Sequence, residues 1–292
     1  MSVPAITTPD DAGAVGPPEP ERRRRLALSP SRAIDFKQCP LKYRLRAIDK
    51  IPEPPSRMAV RGTMVHAVLE ALFGLPAGER DLEHAATLIE PAWARLLEER
   101  PEIADLVSGA DLETFLGEVR EFVGVYFGLE DPTGFEPESL EALIETESPD
   151  GVPLRGFVDR IDRTPSGEVR IVDYKTGRAP TPAYETRALF QLKFYALVLL
   201  RTLGAAPAQL RLMYLADAQI LTYEPDADEL LRFERIVTAL WEAITTAVET
   251  KNFPPSRSWM CEYCQYKALC PEFGGTPPPF PEQLPVLDPT EP

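Results

Sequence analysis

Three residues in the middle of the chain are of the types that hold a cation and work beside it. Asp173 and Lys175 stand two apart in EVRIVDYKTG, and Asp159 stands upstream in GFVDRID, with the polar turn Thr164-Pro165-Ser166-Gly167 between them. Residues i and i+2 of a strand share a face, so an acid and an ammonium project together from the end of a strand over Val169 to Lys175. The preceding strand, about Leu154 to Ile161, pairs back through the turn and brings Asp159 alongside. Two carboxylates and a lysine at adjacent strand ends suit a divalent cation that prefers oxygen, such as Mg²⁺, with the lysine near an attacking water or a phosphate. Further on, Gln191 and Tyr195 are i and i+4 on an apolar helix from about Tyr184 to Leu203, and therefore share one of its faces.

A second group is made of sulfur. Cys261, Cys264 and Cys270 form C-x2-C-x5-C followed by Pro271, and Cys39 is the only other cysteine. Thiolates at x2 spacing can share one metal centre, because the turn between them brings both sulfurs inward. A zinc ion and an iron–sulfur cluster both fit four cysteines with no histidine beside them. The two-plus-two spacing of zinc ribbons is missing, and on the residues alone zinc comes first.

The elements that must position these residues follow from pattern. Ser29 or Ser31 can cap a helix that starts at Pro30 and runs to about Arg46. Val60 to Phe73 forms a helix with Val65, Val68, Leu69 and Leu72 on an apolar stripe, and His66 lies in it. Two amphipathic, acid-rich helices follow, about Leu82 to Glu99 and Asp111 to Gly128, and His84 reads as a surface residue. Leu140 to Glu147 alternates weakly as a strand, where Glu145 or Glu147 could add a carboxylate but reads better as solvent-facing. Gln209 to Leu215 and Gln219 to Tyr223 are two more strands, joined by a tight turn near Asp217. A long helix spans Asp226 to Thr250.

Length and composition set the frame. The 292 residues allow one large domain or two small ones. The formal net charge of −15 is odd for a nucleic-acid protein, but it is unevenly placed. Residues 21–62 hold 12 Lys/Arg against 4 Asp/Glu, and residues 79–150 hold 4 against 20. A basic block beside an acidic one can steer DNA to one face, and Lys37, Lys42, Arg44 and Arg46 are the candidate surface. The longest apolar run, Phe194 to Leu200, stops at Arg201, too short for a membrane span. No basic-then-apolar leader pattern is present, so the expected location is the cytoplasm and no membrane partner is expected. No GxxxxGK[ST] is present, which leaves no P-loop motor in the sequence.

The ordered set GxxD, a hairpin-length gap, D-x-K-T-G and Q-x-x-x-Y resembles the RecB-like (Cas4/AddB-type) exonuclease family of the PD-(D/E)XK nuclease superfamily, over roughly Leu28 to Pro271. The resemblance implies an α/β fold: a restriction-endonuclease-like mixed sheet of about five strands flanked by helices. It implies that His66, Asp159, Asp173 and the Tyr174 carbonyl hold Mg²⁺ or Mn²⁺, that Lys175 serves the chemistry, and that Gln191 and Tyr195 place the strand of DNA. It also implies that Cys39, Cys261, Cys264 and Cys270 carry a 4Fe-4S cluster, with Zn²⁺ as the alternative.

The expected layout is a tail over 1–27, a helical segment over 28–135, a nuclease core over 136–250, a cysteine segment over 251–273 and a Pro-rich tail over 274–292. The expected function is a metal-dependent DNA nuclease, a single-strand exonuclease in repair or recombination. Its partners would be single-stranded DNA ends and a separate helicase or recombination protein. The competing class is a non-catalytic DNA-binding or scaffold subunit of a helicase–nuclease complex. A zinc-dependent interaction module would leave the DYKTG stretch unexplained.

Overall fold

The structure is a computed structural model that describes residues 27–180, 185–282 and 284. At its centre is a five-stranded mixed sheet in the order β1 (Ser139–Glu147), β2 (Pro153–Arg163), β3 (Val169–Lys175), β4 (Gln209–Tyr214) and β5 (Gln219–Tyr223). Only β3 and β4 run parallel; the other neighbours are antiparallel. A parallel pair needs a crossover, and α7 (Glu185–Leu203) supplies it. In β3, Val169, Ile171, Val172, Asp173 and Tyr174 are all buried, as expected of a strand covered on both faces.

Helices cover the sheet in two layers, each with its own apolar core. On one side α1 (Pro30–Gln38), α7 and α8 (Ala227–Thr250) pack with Val169 and Ile171. On the other, α3 (Arg57–Phe73), α4 (Leu82–Thr87), α5 (Ile89–Glu99) and α6 (Ala110–Leu129) pack with Val172 and Tyr174. Strand alternation thus sends successive β3 residues into different cores.

Local chemistry explains the boundaries. Ser29 caps α1, its hydroxyl accepting from the Arg32 amide, with Pro30 in the first turn where its missing N–H costs nothing. Ser56 and Asp226 cap α3 and α8 in the same way. Cys39 leaves the helical region, at φ −162° and ψ 110°, because Pro40 crowds a helical residue before it. The helix expected to run to Arg46 is therefore split into α1 and the short α2 (Pro40–Tyr43), which runs on into a wide turn over Arg44–Ile48. The helix expected over Leu82 to Glu99 likewise divides at Leu88, into α4 and α5.

Leu28 adds a short parallel bridge beside β2, its N–H donating to the Pro153 carbonyl and its carbonyl accepting from Arg155 N–H. Residues 274–282 carry no helix or strand, yet they lie against the core. Phe280 stacks on Phe253 with centroids 5.8 Å apart, and Arg44 donates to the Pro278 carbonyl. The expected tail over residues 1–26, with Arg22 to Arg25, lies outside the described residues, as do Tyr184 and residues 285–292. Among the described residues no helix is long and apolar enough to cross a membrane.

The basic helix does not offer the free face expected of it. Lys42 and Arg46 both pair with Asp35, at 2.8 and 2.9 Å. Arg44 is buried and pairs with Asp49 at 3.0 Å, and Lys37 sits over the Phe190 ring at 4.7 Å. Those charges hold the N-terminal helices in place.

Candidate active site

The β2–β3 ladder runs from Arg163↔Val169 to Arg160↔Val172, and the two strands then part. β3 stays paired with β4 out to Lys175↔Tyr214. Asp159 and Asp173 stand at the fork, one residue beyond the last β2–β3 pair. The Tyr174 N–H that would have continued the ladder donates instead to Asp159 Oδ2, at 2.6 Å. Lys175 Nζ lies 2.5 Å from Asp173 Oδ2, as the two-residue spacing in β3 predicts.

Both helical layers reach this fork. From α7, Gln191 Nε2 donates to Asp173 Oδ1 and to the Tyr195 hydroxyl, each at 3.0 Å. The Tyr195 ring lies against Gly156, where a Cβ would stand 2.6 Å from Tyr195 Cε1. The glycine of GxxD therefore makes room for the tyrosine of QxxxY. From α3, His66 Nε2 lies 3.0 Å from the Tyr174 carbonyl oxygen, and Nδ1 lies 3.5 Å from Asp159 Oδ1. His66, Asp159, Asp173, Tyr174, Lys175, Gln191 and Tyr195 are thus gathered in one place. His84 is exposed and belongs to the cap at Asp81.

Sequence reasoning missed one member. Ligand atoms of His66, Glu141 and Asp159 all lie within 4.8 Å of one another. The pairs Leu140↔Arg160 and Ala142↔Val158 flank Glu141 and set it across from Asp159. Glu141 sits at φ +43°, a backbone region that disfavours a side chain and is found where a site demands it. Glu145 and Glu147, on the same strand, are exposed, and Glu145 Oε1 lies 3.7 Å from Arg155 Nε. The β1–β2 register was the available signal, since counting back from Glu147↔Pro153 reaches Asp159 at Glu141.

The site holds more negative charge than its own cations balance. Burial, reinforced by Asp159, pushes Glu141 up to about 8. Burial and Asp159 push Asp173 up to about 6 against the pull of Lys175. Burial would raise Asp159 too, but His66 and Lys175 hold it below the usual carboxylate range. Burial opposes the charge on His66, yet Asp159 and then Asp173 outweigh it and raise the imidazole to about 9. A pocket that binds protons this tightly is one that a divalent cation would neutralise. The donor set, three carboxylates, one carbonyl oxygen and one imidazole, fits Mg²⁺ or Mn²⁺. The cluster opens into a cleft of about 1500 Å³, which also reaches Arg178, Trp259 and Met260.

The four cysteines meet elsewhere, around a smaller cavity of about 240 Å³ between α1 and the C-terminal segment. The extended backbone at Cys39 and the turns at Trp259–Tyr263 and Lys267–Leu269 carry them. Amides point at two of the sulfurs: Ser256 N–H at Cys39 and Ser258 N–H at Cys261, both at 3.4 Å. Burial, with the other three cysteines adding, raises the Cys270 thiol.

A family model for the PD-(D/E)XK nuclease superfamily matches residues 27–271. The chain is 26% identical over 270 residues to the Gene 69 protein of Mycobacterium phage D29, covering 84% of this chain and 96% of that protein. It is 25% identical over 285 residues to the Gene 69 protein of Mycobacterium phage L5, with the same coverage. Its fold is similar to the crystal structure of a "Putative exonuclease" from Eubacterium rectale, with a TM-score of 0.56 and 14% identity, covering 82% of this chain and 87% of the other.

Proposed function

Because the chain belongs to the PD-(D/E)XK nuclease superfamily, we propose that it is a metal-dependent nuclease of the RecB-like branch, hydrolysing phosphodiester bonds in DNA from single-stranded ends. One observation carries the reading: buried Asp173, half-buried Asp159, His66, the Tyr174 carbonyl and Lys175 converge at the β2–β3 fork, where carboxylates crowd one another, at the wall of an open cleft. His66, Asp159, Asp173 and the Tyr174 carbonyl would hold Mg²⁺ or Mn²⁺, with Glu141 completing the set. Such an ion, when bound, polarises the phosphoryl oxygen and lowers the pKa of water. Lys175 keeps its ammonium protonated, since Asp173 and Asp159 outweigh its burial, and it offsets charge that gathers on the phosphate as the bond breaks. Gln191 fixes the Asp173 carboxylate in place. Tyr195 accepts from Gln191 and keeps its own proton to donate toward the strand.

The cysteine site is proposed to hold a 4Fe-4S cluster. What supports one shared centre is that all four cysteines line the same small cavity, although Cys39 is far from the others in sequence. Roles in repair or recombination, with a helicase or recombination protein supplying unwinding, fit a cytoplasmic chain that carries no motor motif.

The test is cleavage of end-labelled linear single strands, linear duplexes and circular single strands, with Mg²⁺ or Mn²⁺. Linear single strands should be degraded, circles should survive, and Asp173→Ala should cleave nothing. Cleavage by Asp173→Ala equal to wild type removes the mechanism. A wild type that binds DNA and cuts none of the three substrates returns the chain to the scaffold class. Iron, sulfide and zinc analysis of anaerobically purified protein decides the cysteine site, and an iron-free, zinc-loaded protein removes the cluster.

A further inference from the structure

The catalytic cleft is short of positive charge. Glu70, Glu136 and Glu138 line it beyond the carboxylates of the fork. Among the described residues, the lysine and arginines that line it are Arg95, Lys175 and Arg178. Two of these already have acids beside them: Lys175 meets Asp173, and Arg95 lies 3.4 Å from Glu99, one turn along α5. Arg178 is exposed and, among the described residues, meets no acid and makes no hydrogen bond.

The backbone that carries Arg178 is held on both sides. Arg178 stands three residues beyond Lys175, where β3 has ended. Before it, Thr176 packs on α3: a Cβ on Gly62 would stand 3.3 Å from the Thr176 hydroxyl. After it, the Ala179 N–H donates to the Asp217 carboxylate, 3.2 Å from each oxygen, in the turn between β4 and β5. Three residues of chain span at most about 11 Å, so the guanidinium, on a long side chain, stays within reach of the fork. A fixed backbone that presents an arginine without an acid suits an anion that arrives with the substrate.

We propose that Arg178 anchors the backbone of the substrate strand, its guanidinium pairing with a phosphate next to the one at the fork. This rests on the nuclease reading of the same cleft. A strand carries a phosphate at every nucleotide, and only one is cut at a time. Lys175 is committed to the fork, so a flanking phosphate needs a cation of its own. A planar guanidinium meets two phosphate oxygens at once. Contacts of this kind fix position and register without reading sequence. The anchored phosphate does not react, so it is held alike before and during bond breaking, and losing Arg178 should raise KM more than it lowers kcat.

The test is binding of a labelled oligothymidine, and of an abasic strand of the same length, to metal-free full-length protein over a range of salt. Arg178→Gln should lose about 10-fold in affinity at low salt, the scale of one charge-assisted hydrogen bond, and equally on both strands. Its log affinity should fall less steeply with log salt than that of wild type, by about 0.7, the share of one phosphate contact on a single strand. Arg178→Lys should keep the wild-type slope, because the charge remains. An unchanged slope in Arg178→Gln, a loss on oligothymidine alone, or a slope lost equally in Arg178→Lys overturns the proposal. With Mg²⁺, a fall in kcat at unchanged KM also overturns it. If the wild type cleaves DNA and the slope does not change, this inference alone falls. If the slope changes and the wild type cuts nothing, the nuclease reading falls and Arg178 remains a phosphate anchor.

Discussion

Two charged clusters share strands β2 and β3, and neighbouring residues feed them. Asp159 and Asp173 turn to the fork; Arg160 and the Tyr174 ring turn into the core shared with α3 and α6. There Arg160, fully buried, meets Glu130 at 2.7 Å and Asp162 at 2.9 Å, and donates to the Tyr174 hydroxyl at 2.7 Å. Arg170 and Arg211 add further contacts to the same two acids. The Phe135 and Phe73 rings lie 4.7 and 5.0 Å from its guanidinium. In that cluster each carboxylate is paired with more than one guanidinium. At the fork three carboxylates face one lysine and one histidine, and two of the acids are pushed up toward neutrality. The same residue types are structural where their charges close on one another, and free for chemistry where they do not.

The sharpest way to break this contrast is to remove one charged side chain from each cluster. Asp173→Ala should lower cleavage by about 10³-fold or more, since it removes groups acting only on the reacting phosphate. Its metal-free melting temperature should hold or rise, because a crowded carboxylate has gone. A large fall in stability would make the fork structural as well. Arg160→Met should do the opposite, costing roughly 3–5 kcal/mol in denaturant unfolding by taking from Glu130 and Asp162 their one fully buried partner, while the folded fraction keeps its cleavage rate. A lost rate in fully folded Arg160→Met would join the two clusters into one.

Gly156→Ala should have a smaller effect, spread over both properties. The added methyl meets the Tyr195 ring, which should cost about 1–3 kcal/mol of overpacking and slow cleavage by disturbing Gln191. A last effect is on pH. Glu141 is raised from the ordinary carboxylate range to about 8 in the fold, so the unfolded chain gives up that proton first as pH rises. Metal-free wild type should therefore lose stability between about pH 4.5 and 8 relative to Glu141→Gln, and the gap should level off above pH 8. A gap that is constant across that range would place Glu141 in solvent.

Much of the fold was legible because one strand and its hairpin carry most of the information. Val169 to Lys175 is apolar enough to be read as a covered strand, and its bounds are those observed. The D-x-K spacing then puts two side chains on one face without further assumptions. Gln191 and Tyr195 follow from helix geometry. Glu141 was harder, because its strand alternates weakly and its left-handed backbone sits where a strand rule expects extension. The Arg160 cluster has no local pattern at all: its partners come from α6, β2, β3 and β4, and only the packed sheet brings them together. The basic block misled for a related reason. Charge counts along a chain do not say that Asp35 and Asp49 will take up Lys42, Arg44 and Arg46.

The cavity that gathers the four cysteines has a consequence for synthesis. Leu28 gains its β2 neighbours once residue 155 has emerged, but Cys39 meets its three partners only after Cys270. More than two hundred residues separate Cys39 from Cys261, so at ribosomal rates of roughly 5–20 residues per second the first thiol waits on the order of ten seconds or more for the others. The closing of the cysteine cavity is then a late event, joining segments made far apart in time.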